Sequence, residues 1–161
     1  MNAEIVELRP STLMGITARI DPKQADYGAL WEKRFGPRET EVARLAVAGG
    51  YCGAYFGTER PGEVDFIAGM IVPDSAVPPE GLVARVIPGG PYARFRCAMA
   101  EIAATWGAIY RDWLPASSQV EDEARPCFEE YPAGEVGPGT PVSIYVPLRA
   151  RGILVLEFPS R

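Results

Sequence analysis

Apolar positions change their period several times along this chain, and each change marks an element. From Glu4 to Ile20 the residues Ile5, Val6, Leu8, Leu13, Met14 and Ile16 come at short intervals around a bend at Pro10 and Ser11, which predicts one interrupted strand. Tyr27, Leu30, Trp31 and Phe35 then recur at helical spacing, and Gly36-Pro37 kinks that pattern before Val42, Leu45 and Ala46 resume it. Gly49-Gly50 opens an apolar run from Tyr51 to Gly57, Pro61-Gly62 turns the chain, and Val64 to Val72 completes a hairpin. The first half therefore reads β-α-β-β.

The second half repeats that order. Gly81 to Cys97 is strand-like around a Pro88-Gly89-Gly90-Pro91 break. Met99, Ile102, Ala103, Trp106, Ile109, Tyr110, Trp113 and Leu114 form an amphipathic helical stripe that Pro115 ends. Beyond an acidic loop from Ser117 to Arg125, Cys127 to Tyr131 and Val142 to Leu148 make a second hairpin around the Gly134 to Pro141 turn. The expectation is a single α+β domain over residues 1–161 with pseudo-repeats at about 4–74 and 81–149. Its duplicated β-α-β-β units share one antiparallel sheet, with two main helices on one face and a cleft between the halves. Residues 150–161 are an extension, and Gly152 to Phe158 is too apolar for a free tail. An extra strand covering the chain's own sheet suits it better than a dimer contact, because an exposed apolar edge invites aggregation.

Composition narrows the chemistry. With 161 residues, 47% of them hydrophobic, the chain can bury its own core. A net charge of -5 and no long run of Lys or Arg argue against direct nucleic-acid binding. Histidine is absent, which removes Ser-His and Cys-His catalysis and His metal sites. The cysteines Cys52, Cys97 and Cys127 are far apart and read as reduced, buried thiols. Only Cys97, just before the second helix, has a position that favours a nucleophile. Glu121-Asp122-Glu123 reads as a solvated loop without calcium-loop spacing, so neither a metal nor a cofactor is expected. No cleavable leader or membrane-length apolar run is present, and a cytoplasmic location is expected.

What remains is the acid in Cys127-Phe128-Glu129-Glu130-Tyr131. Strand alternation puts Phe128 and Glu130 on one face and Glu129 and Tyr131 on the other, so a carboxylate lies beside aromatic rings. A buried, unpaired carboxylate costs several kcal/mol, so such a group is paired, protonated or kept for a ligand. An ion pair with Arg94 or Arg96 is the structural alternative for Glu129.

Several strings in order resemble the GyrI-like, or AraC effector-binding, superfamily of small-molecule-binding domains. They are Leu30-Trp31-Glu32-Lys33-Arg34-Phe35, Tyr51-Cys52-Gly53-Ala54-Tyr55, Ile67-Ala68-Gly69-Met70, Ile87-Pro88-Gly89-Gly90-Pro91-Tyr92-Ala93, Trp113-Leu114-Pro115-Ala116-Ser117, Pro126-Cys127-Phe128-Glu129-Glu130-Tyr131 and Ile144-Tyr145-Val146-Pro147. The resemblance implies the duplicated fold with a ligand cleft, and Glu129 meeting the cationic or polar part of an amphipathic ligand. The expected ligand-binding set is Glu129, Tyr131, Tyr145, Tyr51, Tyr55, Trp31, Trp106 and Tyr110. Helix packing claims at least two of Trp106, Tyr110 and Trp113.

The sequence departs from the family where a second acid often follows the Ala-Gly pair, since Ile71 stands there. That departure disfavours a hydrolase of strained or electrophilic, cyclopropanoid compounds, which would use Glu129, a water and a tyrosine as proton donor. The reading preferred from the sequence is a stand-alone binder of small amphipathic or cationic aromatic molecules, acting as a sensor, a sequestering protein or a regulator-like effector domain. A protein-binding inhibitory module is the third reading, and a homodimer or protein partner stays open. No membrane contact and no helix-turn-helix module are expected.

Overall fold

The computed structural model describes residues 1–150. The expectation for Gly152 to Phe158 lies outside the described residues. Eight strands form one antiparallel sheet: β1 (Glu4–Leu8), β2 (Ser11–Ile20), β3 (Tyr51–Gly57), β4 (Val64–Val72), β5 (Val83–Ile87), β6 (Gly90–Ala98), β7 (Cys127–Tyr131) and β8 (Pro141–Pro147). Their order is β1-β6-β8-β7-β3-β4-β2-β5. Exchanging each strand of the first half for its counterpart in the second gives the same order read from the other end, so the sheet has a twofold pattern centred between β7 and β3.

The interrupted strand of residues 4–20 divides into two elements that end up at opposite ends of the sheet. β1 pairs only with β6, whereas β2 lies between β4 and β5. The register nevertheless runs unbroken through both breaks, with Leu8 opposite Gly90 and Ser11 opposite Ile87. The two broken strands therefore cross at their breaks, and the sheet curls until its ends meet there. Gly89 permits the crossing, since a Cβ on it would lie 2.7 Å from the Leu8 carbonyl oxygen. Arg125 fastens it from the side, donating to the carbonyls of Gly89, Pro91 and Leu148 with its guanidinium 4.7 Å from the centre of the Tyr92 ring.

Both helical segments lie on one face of the sheet. The first, residues 27–43, starts on Asp26, whose carboxylate accepts from the Ala29 N–H at 3.0 Å, and widens into a π turn over Leu30–Phe35. The second, residues 99–116, widens likewise over Ile109–Trp113. Each π turn closes immediately before a proline: Gly36 N–H bonds the Trp31 carbonyl ahead of Pro37, and Leu114 N–H bonds that of Ile109 ahead of Pro115. A proline ring clashes with the carbonyl four residues back, and opening the preceding turn relieves that clash.

Alternation along the strands divides the core. Met14, Ile16, Phe66, Ala68 and Met70 meet Leu30, Phe35 and Val42 beneath the first helical segment, while Ala93, Phe95, Ile144 and Val146 meet Ile109 beneath the second. The far face buries Leu13, Cys52, Ala54, Phe56, Ile67, Tyr92, Phe128 and Tyr145 within the curl. Each large side chain so buried is worth about 1.5–3 kcal/mol. Gly15 and Gly69 sit opposite each other on β2 and β4, where a Cβ on either would come within 1.9 Å of a carbonyl oxygen of the other strand.

Candidate functional site

The central strands β3 and β7 form the floor of a cavity of about 1490 Å³, and the two helical segments form its walls. The register places Tyr51 opposite Tyr131, Gly53 opposite Glu129 and Tyr55 opposite Cys127, all on the helix-bearing face. Gly53 leaves space that rings occupy, since a Cβ there would lie 3.1 Å from Phe66 and 3.3 Å from Trp31.

Glu129 is the polar centre of this floor and is only 3% exposed. Its Oε1 accepts from the Trp106 indole N–H at 2.6 Å and the Tyr55 hydroxyl at 3.2 Å, and its Oε2 accepts from the Tyr131 hydroxyl. Among the described residues no Lys or Arg pairs with it. The ion pair with Arg94 or Arg96 does not form, because Arg94 bonds Glu4 at 2.5 Å and both arginines alternate away from the helix-bearing face of β6. Burial pushes the Glu129 carboxyl above the usual glutamate range, with the three ring donors pulling the other way. Burial and the Glu129 charge also push the Tyr55 and Tyr131 hydroxyls up, which keeps them donors.

A carboxyl raised on folding holds its proton more tightly in the folded chain. Its unfavourable contribution is therefore absent below the unfolded value, about 4.3, and grows as pH rises through the folded one. A neutral amide of the same shape carries no such pH-dependent cost. Glu129→Gln is therefore expected to melt about 3 °C or more above the parent near about pH 8. The gap should close on acidification, as followed by calorimetry across pH.

Rings form most of the remaining surface. Trp31 meets Tyr131 and Tyr51 edge-on at 5.6 and 6.3 Å, Tyr55 meets Trp106 at 6.0 Å, and Trp106 stacks parallel to Tyr110 at 6.1 Å. Seven of the eight expected ligand-binding residues thus converge here: Glu129, Tyr131, Tyr51, Tyr55, Trp31, Trp106 and Tyr110. Tyr145 does not. Ile144, its neighbour, is the residue opposite Glu129, so Tyr145 points to the far face, stacks on Phe128 at 4.4 Å and donates to Glu130. Trp106 and Trp113 both pack against the core beneath the second helical segment, Trp113 edge-on against Phe95 at 4.9 Å, while Trp106 and Tyr110 also line the cavity.

Other expectations are corrected by strand parity. Ile71 packs against the far-face core, so an acid at that position would not meet Glu129. Glu121 belongs to the cavity wall rather than to a wholly solvated loop, accepting from the Tyr110 hydroxyl at 2.9 Å and the Cys127 thiol at 3.4 Å. Burial pushes both the Cys97 and Cys127 thiols up, which leaves neither activated as a nucleophile. Tyr27 and Glu39 were not foreseen. Tyr27 lies one helical turn before Trp31, a spacing that could have revealed it, and its hydroxyl donates to the Pro22 carbonyl at 2.7 Å. Glu39 accepts from Tyr51 and has no sequence signal of its own.

Residues 4–148 match the Cass2 family, described as integron-associated effector binding protein. The chain belongs to this family. The GyrI-like resemblance is thereby upheld, and the chain is a GyrI-like small-molecule-binding domain. Transcriptional regulator BrlR of Pseudomonas aeruginosa is 32% identical over 157 residues, which cover 92% of this chain and 56% of BrlR, so the chain spans little more than half the length of that relative. The structure of SAV2435 bound to tetraphenylphosphonium shares the fold with a TM-score of 0.74 at 16% identity, covering 92% of this chain and 94% of SAV2435. The integron cassette protein VCH_CASS2 from the mobile metagenome of Vibrio cholerae has a TM-score of 0.65 at 21% identity, over 91% of this chain and 95% of its own. Among the described residues no helix is long and apolar enough to cross a membrane.

Proposed function

We propose that this domain binds amphipathic aromatic cations in the cavity, with Glu129 as the charged anchor, and serves as a sensor or sequestering module. The observation that carries this reading is a carboxylate 3% exposed, hydrogen-bonded among the described residues by ring donors alone and facing a cavity of aromatic faces. A cation about 6 Å from it gains about 3 kcal/mol at an effective dielectric of about 20, and each aromatic face adds about 0.5–2 kcal/mol. A neutral guest gains only the apolar contact and leaves the carboxylate unpaired. Glu32, Glu39, Glu121, Glu123 and Glu135 line the same cavity, against Lys23 and Arg125, so the field at its mouth favours cations as well. The tetraphenylphosphonium bound to SAV2435 and the kinship to a transcriptional regulator support this choice of ligand class and role.

Titration calorimetry with tetraphenylphosphonium and with neutral triphenylphosphine oxide tests the proposal. The cation is expected to bind at least about tenfold more tightly. Its affinity should fall as pH drops through the raised Glu129 value, with a proton released on binding in that range. Equal affinity for both compounds, or no dependence on pH, would sink the charge-anchor reading. Recovery of the compound unchanged, checked by mass spectrometry, is expected of a binder.

A further inference from the structure

The cavity holds more than one cationic head can fill. Its volume of about 1490 Å³ exceeds the span of about 300–1,000 Å³ usual for small-molecule sites. Its rings and carboxylates also follow a definite sequence across the second helical segment. Trp106 and Tyr110 lie one turn apart with their rings 11° from parallel. The indole of Trp106 donates to Glu129 on the floor, and the hydroxyl of Tyr110 donates to Glu121 on the wall. A stacked pair of rings thus joins two carboxylates, each held by neutral donors.

Glu121 is placed by more than this one bond. It forms an isolated antiparallel bridge with Leu148 and accepts from the Cys127 thiol, which burial keeps protonated. The nearby cation, Arg125, is committed to Asp122 at 2.8 Å and to three main-chain carbonyls. Among the described residues no Lys or Arg pairs with Glu121.

We infer that the cavity is a two-anchor site that selects elongated dications, one cationic head at Glu129 and the other at Glu121, with the apolar spacer lying along the Trp106 and Tyr110 rings. This rests on the proposed binding of cations at Glu129 and adds the ligand class within it. Each head would meet a carboxylate and an aromatic face together, an arrangement suited to quaternary ammonium groups. Glu121, on the more open wall, adds less per head than Glu129, because solvent screens it.

The test uses bis(trimethylammonium)alkanes of graded spacer length, each against the one-headed alkyltrimethylammonium of the same chain, by calorimetry on the full chain. One spacer length is expected to bind about tenfold more tightly than its one-headed counterpart, with shorter and longer spacers losing that advantage. Glu121→Gln should abolish the advantage and change the one-headed series by no more than about twofold, while Glu7→Gln, at an exposed carboxylate on β1 outside the cavity, should leave the advantage intact. An unchanged melting temperature for Glu121→Gln establishes that its fold is preserved, as the amide oxygen still accepts from Tyr110. No preferred spacer, equal weakening of both series by Glu121→Gln, or loss of the advantage in Glu7→Gln would overturn the two-anchor assignment. Failure of the one-headed compounds to bind would instead overturn the cation reading of Glu129 and this inference with it.

Discussion

Glu129→Gln should weaken tetraphenylphosphonium binding by about 100-fold while changing the affinity for triphenylphosphine oxide by no more than about twofold. The substitution keeps the shape of the side chain. Its amide oxygen can accept from Trp106 and Tyr55 as the carboxylate does, and its amide N–H can donate to the Tyr131 hydroxyl oxygen. What disappears is the charge. At about 6 Å and an effective dielectric of about 20 that charge contributes about 3 kcal/mol to a bound cation, equivalent to the loss expected. The variant should also melt higher, because the cost of burying the ion disappears with it. Weaker binding together with a higher melting temperature separates loss of an anchor from loss of the fold, since a misfolded site would lower both. Calorimetry on one preparation reads both quantities.

Gly69→Ala is expected, like Gly15→Ala, to damage the sheet severely by the addition of a single methyl group. Gly69 faces Gly15 across β2 and β4, and a Cβ on Gly69 would lie 1.9 Å from the Met14 carbonyl oxygen. Real Cβ atoms do not approach so closely, and the obstacle is backbone rather than a side chain that can rotate. The strands must part, at the cost of the ladder between them and of the packing of Met14 and Phe66 beneath the first helical segment. Overpacking alone costs about 1–3 kcal/mol, and parting a central ladder adds to it. A loss of about 3 kcal/mol lowers the melting temperature of a domain this size by about 6–12 °C. Gly107→Ala is the control, because nothing lies within 4 Å of a Cβ at that position and the residue is helical. It should leave the melting temperature unchanged or raise it slightly. A Gly69→Ala protein that melts like the parent would show that the strands can separate at little cost.

Short-range patterns in the sequence carried most of the architecture. The helical stripes, the hairpins and the burial of Glu129 all follow from periods that a few neighbouring residues define. What local pattern could not convey was pairing over long separations. The run from Glu4 to Ile20 looks like one strand because its register is continuous, yet its halves belong to opposite ends of the sheet, a consequence of the crossing with the equally broken run ending at Ala98. Tyr145 and Ile71 were misplaced for a related reason. β4 and β8 are apolar on both faces, so alternation within them does not say which residue faces Glu129. Only the pairing of Glu129 with Ile144 fixes the parity of β8. Glu39 and Glu121 sit outside the strands, and polar residues there have no period to betray a cavity.

The pairing of β3 with β7 joins the two halves by five residue pairs directly beneath the ligand space. The halves therefore cannot swing apart about a hinge to admit a guest, because doing so would break that ladder from Tyr51 to Tyr55. Under the proposed binding of cations, adjustment to guests of different size would fall instead to the helical layer, where the turns before Pro37 and Pro115 are already widened from the α-helical pattern. In the proposed role as a sensor, a floor tied in this way would leave the outer surface of the helices as the part of the domain that reports occupancy.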